Sequence, residues 1–152
     1  MERKSVLIVG SGMMGCGIAS CALLAGNDTI LYDVYAEALG RAVERTKQNI
    51  DELAEQELCT QEQADAAMER IHVEPDLEKA CASAKVVIEA VFEKLELKQE
   101  MFEKLDALLP VEVPILSNTS GLRITDIAAR TKRPEGRLPA VCPDDGGRPH
   151  GI

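Results

Sequence analysis

An α/β fold with a mostly parallel sheet is what this sequence predicts, and three observations predict it. Short apolar runs recur along the chain, as "SVLIV", "DTILYD", "KVVIEAV" and "VPILSN". Between them lie longer segments whose apolar residues keep a helical period. Strands and helices alternating at this spacing call for crossover connections, which make the strands parallel and put helices on both faces of the sheet. The 152 residues, 45% of them apolar, suffice for one substantial core and leave little room for a second domain.

The elements follow in order. Residues 5–9 form a buried central strand, and "MMGCGIASCALLAG" a tightly packed helix ending near Gly26. "DTILYD" is the second strand, closing at Asp33. Residues 35–58 read as one long amphipathic helix, with Leu39, Val43, Ile50, Leu53 and Leu58 on its apolar side despite Gly40. Thr60 stands as an N-cap with Gln63 in the capping-box position, so another helix begins there. "IHV" is a short third strand, "DLEKACASA" a short helix and "KVVIEAV" the fourth strand. In "EKLELKQEMFEKLDALLP", Leu97, Met101, Leu105 and Leu108 make an apolar stripe, and Pro110 stops the helix. "VPILSN" is the fifth strand, followed by a turn and short helix in "TSGLRITDIAART". Residues 136–152 carry four glycines and three prolines, the composition of a loop or a poorly ordered tail.

Charge narrows the partners. Lys and Arg number 17 against 26 acidic residues, a net charge of -9, which argues against nucleic acid or an anionic bilayer. Backbone amides can still bind a phosphate without basic side chains. The five cysteines, at 16, 21, 59, 81 and 142, form no C-x-x-C pair and read as buried, reduced thiols. His72 and His150 lie far apart, so no metal site is predicted. The first apolar run is too short to span a membrane and is interrupted by glycines where a signal peptide needs a helical core, so the cytoplasm is the expected compartment.

Residues 6–19, "VLIVGSGMMGCGIA", carry a G-x-G-x-x-G pattern between a strand and a helix, the context that gives this otherwise common pattern meaning. Gly10 permits the sharp turn, Gly12 removes the Cβ that would block a pyrophosphate, and Gly15 lets the helix pack closely. The helix then turns free amides and its positive end toward the phosphates. Met13 and Met14 lie within the same turn and are counted with it. Asp33 follows 18 residues after Gly15, at the end of the second strand, where a carboxylate can accept both ribose hydroxyls and repel a 2'-phosphate. Val34 and Tyr35 offer no arginine to that phosphate, so NAD is expected over NADP. Asp after a strand also simply begins turns. The fold is thereby refined to a Rossmann-type sheet.

"VGSGMMGCGIA", Asp33, "VVIEAVFEKLELKQEMFEKLDAL" and "ILSNTSGLRITDIA" together resemble the NAD-binding domain of the L-3-hydroxyacyl-CoA dehydrogenase family, which includes 3-hydroxybutyryl-CoA dehydrogenases, over roughly residues 4–136. The resemblance implies NAD, a 3-hydroxyacyl-CoA or 3-oxoacyl-CoA substrate, and a separate C-terminal helical domain that completes the site and forms a dimer. By matching position it implies Glu93 and Lys98 beside the nicotinamide ribose, Ala90 and Val91 as backbone neighbours of the cofactor, and Asn118 near the nicotinamide. Ser120 corresponds to the serine that hydrogen-bonds the substrate oxygen. Taken alone, Glu93 with Lys98 is ordinary decoration of a helix start and "SNTS" an ordinary cap. Lys94 stands where many relatives have Asn.

The family's proton acceptor is a histidine 21 residues after the serine, and here that position is Val141. Its supporting glutamate would fall beyond Ile152, and His150, embedded in "GGRPHG", is nine residues too late. The expectation is therefore an NAD-binding domain over residues 1–136, a divergent tail over 137–152, and no helical domain. The reaction would be hydride transfer interconverting 3-hydroxyacyl-CoA and 3-oxoacyl-CoA, with this chain its cofactor-binding fragment. Without a sixth strand the sheet is incomplete at its C-terminal edge: the fifth strand should become an open edge and Ile115, Leu116 and Ile124 should lose cover, inviting self-association. Two readings compete: a catalytically inactive NAD-binding or structural remnant, and a gulonate dehydrogenase or crystallin-like relative.

Overall fold

The computed structural model describes residues 5–132. Its strands are β1 (Ser5–Val9), β2 (Asp28–Tyr32), β3 (Ile71–Val73), β4 (Val86–Glu89) and β5 (Ile115–Ser117). The helices are α1 (Met13–Leu24), α2 (Ala38–Glu55), α3 (Gln61–Met68), α4 (Leu77–Ala82), α5 (Leu95–Leu108) and α6 (Ile124–Ile127), the last continued by a 3-10 turn over Ala128–Arg130. All four strand pairings are parallel, in the order β3-β2-β1-β4-β5. The chain reverses direction across the sheet between β1 and β4, which is where open α/β sheets bind ligands.

The register lines up the carboxyl ends. Val9 pairs with Tyr32 and with Glu89, and Glu89 pairs with Ser117. The residues that follow, Gly10, Asp33, Ala90 and Asn118, therefore emerge from one row of the sheet. β1 is apolar from Val6 to Val9 because it is covered twice. Leu7 and Val9 face a core with Val87, Phe102, Leu105, Ile115 and Ile127. Val6 and Ile8 face Cys16, Ala19, Leu31, Leu39 and Ala42. A third cluster, with Leu23, Ile50, Ala64 and Ala67, packs α3 against α1 and α2.

The predicted elements are present, including the short third strand and the capping box at Thr60 and Gln63. Two helix faces differ from expectation. α2 begins at Ala38, three residues later than predicted, and the Asp33 carboxylate accepts the Tyr35 amide at 2.9 Å in the stretch before it. It ends at Glu55, and Glu57 at φ 59 turns the chain so that Leu58 is 69% exposed. The buried side of α2 is Leu39, Ala42, Thr46 and Ile50, with Val43 and Leu53 only half-buried. The Cys16 thiol on α1 donates to the Ala42 carbonyl at 3.6 Å, which ties the two helices where Ala42 is buried.

In α5 the buried residues are Lys98, Met101, Phe102 and Leu105, while Leu97 and Leu108 are largely exposed. Leu and Lys thus exchange the places that hydropathy assigns them, since a buried carboxylate draws Lys98 inward. β3 and β5 are the edges of the sheet among the described residues. Ile115 is nonetheless buried, and Leu116 and Ile124 are half-buried, so helix packing covers much of the apolar surface expected to be bare. The tail over 137–152, with Val141, Cys142 and His150, lies outside the described residues.

Candidate functional site

The glycine turn shows what each glycine does. Gly10 has φ +111, a conformation that L side chains rarely adopt, and a Cβ on it would lie 2.6 Å from the Ala90 carbonyl oxygen. A Cβ on Gly15 would lie 1.9 Å from the Gly10 carbonyl oxygen, so this glycine lets α1 press against the turn itself. Gly12 has nothing within 4 Å of its Cβ position, which leaves open space over the start of α1. Gly12 is extended and caps α1 without a side-chain hydrogen bond, and the first turn of the helix holds no acidic residue. Its leading amides lack helical partners and are suited to an anion. Beneath the turn, the Cys16 thiol donates to the Ser11 carbonyl at 3.4 Å. Burial raises the pKa of this thiol, which keeps it a neutral donor.

Asp33 is tied to the turn by Ser11. The Ser11 amide donates to Asp33 Oδ2 at 2.8 Å and the Ser11 hydroxyl donates to the same oxygen at 2.6 Å. Oδ1 accepts the Tyr35 amide at 2.9 Å. These bonds fix the carboxylate at the end of β2 and leave one lone pair, on Oδ1, for a ribose hydroxyl. Burial and the Asp33 charge together raise the pKa of the neighbouring Tyr32 phenol.

At the other side of the turn, Glu93 accepts a hydrogen bond from the Thr119 hydroxyl, joining the segment after β4 to the segment after β5. The Asn118 amide donates to the Glu89 carbonyl at 2.8 Å. A cavity of about 790 Å³ connects these parts and is lined by Gly10, Gly12, Met13, Met14, Asp33, Ala90, Val91, Glu93 and Asn118 among others. Nine of the residues singled out from sequence thus share one wall. Gly15 lies under the turn. Ser120 is exposed and lies outside the residues lining this cavity.

Lys98 lies outside the residues lining this cavity. It has no exposed surface, and its Nζ donates to Glu89 Oε2 at 2.7 Å and to the Val91 carbonyl at 3.0 Å. It ties the loop after β4 to a partner carboxylate that is itself wholly buried. Sequence reasoning missed Ser11, whose signal was a hydroxyl residue between two glycines. It also missed Arg41 and Arg45, one helical turn apart on α2, which line the same cavity as Asp33. Val34 and Tyr35 supply no arginine to Asp33, whereas the fold brings two from α2. Among the described residues no group of three His, Cys, Asp or Glu is placed to hold a metal.

The residues present fit NAD: an open space at Gly12, uncapped amides at the head of α1, and an acceptor held at the end of β2. The family description "3-hydroxyacyl-CoA dehydrogenase, NAD binding domain" matches residues 5–140. The chain belongs to the 3-hydroxyacyl-CoA dehydrogenase family. Its matched portion is the NAD-binding domain of that family, and its cofactor is NAD. It is 40% identical over 135 residues to a probable 3-hydroxybutyryl-CoA dehydrogenase of Bacillus subtilis (strain 168), covering 89% of this chain and 47% of that protein. It is 37% identical to a 3-hydroxyadipyl-CoA dehydrogenase of Escherichia coli (strain K12), covering 87% of this chain and 28% of that protein. The crystal structure of a 3-hydroxybutyryl-CoA dehydrogenase from Escherichia coli K12 superposes with a TM-score of 0.80 at 36% identity, covering 89% of this chain and 28% of that one. The (S)-3-hydroxybutyryl-CoA dehydrogenase of Ralstonia eutropha gives 0.79 at 32% identity, with 87% and 46% covered. The dehydrogenase-family chain described here thus spans less than half the length of these relatives. No helix among the described residues is long and apolar enough to cross a membrane.

Proposed function

We propose that this chain is the cofactor-binding part of an NAD-dependent oxidoreductase that interconverts 3-hydroxyacyl-CoA and 3-oxoacyl-CoA. The observation that carries the reading is the one cavity running from Asp33 across the glycine turn to Asn118. NAD, when bound, supplies the acceptor for a hydride leaving the hydroxyl-bearing carbon. The chain's own residues bind and orient. The amides at the head of α1 hold the diphosphate, Asp33 accepts an adenosine ribose hydroxyl, and Glu93 and Asn118 stand at the nicotinamide end. Ser120 donates a hydrogen bond to the substrate oxygen. The same reading assigns the chain to fatty acid metabolism in the cytoplasm, with an acyl-CoA substrate and a second copy of the chain as partners.

Position 141 is Val where the resemblance implies a histidine, and this favours a second reading, a chain that binds NAD without oxidising a substrate. Lack of the base alone costs about 10²- to 10⁴-fold in rate. Imperfect positioning of the thioester removes further orders of magnitude. An NADH-absorbance assay with 3-hydroxybutyryl-CoA tests this on the 152-residue chain beside a version extended through the helical domain of a relative. The expected result is negligible turnover by the 152-residue chain. Activity within about tenfold of the extended version contradicts that expectation.

A further inference from the structure

We infer that Arg41 and Arg45 form a separate phosphate subsite at the adenosine end of the cavity, one that takes the 2'-phosphate of NADPH and limits how far Asp33 excludes that cofactor; the inference rests on the assignment of this cavity to NAD. The two arginines lie one helical turn apart on α2, and both line the cavity with Asp33, Tyr35 and the glycine turn. Both are exposed, and neither guanidinium has a hydrogen bond or ion pair among the described residues. Glu37 also lines the cavity, one turn before Arg41, yet the two do not pair. Asp33 is held by other groups: Oδ2 accepts the amide and hydroxyl of Ser11, and Oδ1 accepts the amide of Tyr35. Two cations without a counter-ion thus share a wall with one fixed carboxylate.

The reach of these charges toward the glycine turn is felt in α1. Burial is the main cause of the raised pKa of the Cys16 thiol; a hydrogen bond with Thr46 and the charge of Arg45 oppose it, and the charge of Asp33 adds to it. Cys16 sits in the first turn of α1, so Arg45 and Asp33 both lie close to the head of that helix. The diphosphate itself needs neither arginine, since the uncapped amides there serve NADH and NADPH alike. A 2'-phosphate is different. It carries a charge of about -1.5 to -2 at pH 7 and three acceptor oxygens, which guanidinium forks match in geometry. Asp33 repels that phosphate with one charge, while Arg41 and Arg45 attract it with two and break no ion pair to do so. The carboxylate therefore sets the preference for NADH, and the arginines set its depth.

NADH and NADPH differ only by the 2'-phosphate, so calorimetric titration with each, at low and high salt, reads this subsite alone. The 152-residue chain is compared with an Arg41→Gln, Arg45→Gln double variant, each with and without Asp33→Ala. The double variant should lose about tenfold or more in NADPH affinity while NADH stays within about threefold. In the unsubstituted chain NADPH binding should fall more steeply with salt than NADH binding, and the double variant should abolish that difference. Asp33→Ala should raise NADPH affinity by about tenfold when the arginines are present and by no more than about twofold when they are replaced. Equal weakening of both cofactors by the double variant, undiminished NADPH binding, or a gain from Asp33→Ala that survives without the arginines overturns the inference. Both side chains are exposed and unpaired, so the double variant should melt as the unsubstituted chain does; if it does not, the salt dependence in the unsubstituted chain decides. NADPH that binds neither the unsubstituted chain nor Asp33→Ala while NADH binds also overturns it, whereas a chain that binds neither NADH nor ADP-ribose removes the NAD assignment itself.

Discussion

Gly12 and Gly15 belong to one turn, yet a methyl group at each has a different consequence. At Gly12 there is nothing for it to strike within 4 Å. Gly12→Ala should melt as the unsubstituted chain does while losing NADH affinity by about tenfold or more, because the methyl takes the place of a phosphate oxygen. At Gly15 the methyl meets the Gly10 carbonyl at 1.9 Å. Gly15→Ala should lower stability by roughly 3 kcal/mol or more, measured by urea unfolding, since backbone must move on both sides. Gly15→Ala with unchanged stability would show that the helix can slide off the turn without cost. Asp33 makes a charge-based prediction. The unsubstituted chain should prefer NADH to NADPH by calorimetry, and Asp33→Ala should both weaken NADH and narrow the preference, since Arg41 and Arg45 then face a 2'-phosphate without the opposing carboxylate. Equal affinities for the two cofactors in the unsubstituted chain contradict this role.

The ends of helices were more legible from sequence than their faces. Thr60 and Gln63 announce α3 because both halves of the capping box are local: the Gln63 amide donates to Thr60 Oγ1 at 3.1 Å, and the Thr60 amide donates to Gln63 Oε1 at 2.9 Å. Thr60→Ala should cost about 1 kcal/mol. The end of α2 was misplaced because nothing in "EQELC" marks the left-handed residue, a glutamate at φ 59. Glu57→Gly should raise stability by roughly 0.5–1 kcal/mol, visible as a higher melting temperature, and no gain would mean that Glu57 carries a compensating contact. Faces were misread where a distant partner decides them. Leu97 outranks Lys98 by hydropathy, yet Lys98 is the one inside, because Glu89 waits nine residues earlier on a different element.

For the molecule as a whole, the buried thiols make stability fall at alkaline pH. Burial raises the Cys81 pKa from 9.0 to about 11, and Cys16 shifts in the same direction. Below pH 9.0 the thiol is protonated in both folded and unfolded chains and contributes no pH dependence. Between 9.0 and about 11 the unfolded chain releases a proton that the folded chain keeps, so stability falls as pH rises. The Cys81 share reaches roughly 3 kcal/mol at most. Urea unfolding across this range should show the decline, and Cys81→Ala should flatten it in part. An unchanged slope in that variant would place the titration elsewhere, Cys16 and Tyr32 being the other groups shifted the same way. Cys21 is exposed and Cys59 half-buried, against the expectation that the thiols are buried, because Cys21 lies on the outer side of α1; thiol reagents at neutral pH should label Cys21 well before Cys16 or Cys81.

The sequence by itself determined the order of strands and helices, the glycine turn and the place of Asp33, because each is written in contiguous residues: apolar periods, three glycines at fixed offsets, an acid at the end of a strand. The resemblance added the loops after β4 and β5, whose Glu93 and Asn118 line the cavity. What only the tertiary structure decided are the contacts that cross elements. Ser11 becomes a clamp on Asp33 across 22 residues, Arg41 and Arg45 come to the adenosine end from one face of α2, and Lys98 turns from a surface residue into half of a buried pair. Hydrogen bonding and ion pairing between residues far apart in the chain leave no periodic trace in the sequence. They are set by which strands lie side by side and by the register that brings Val9, Tyr32, Glu89 and Ser117 to one edge of the sheet.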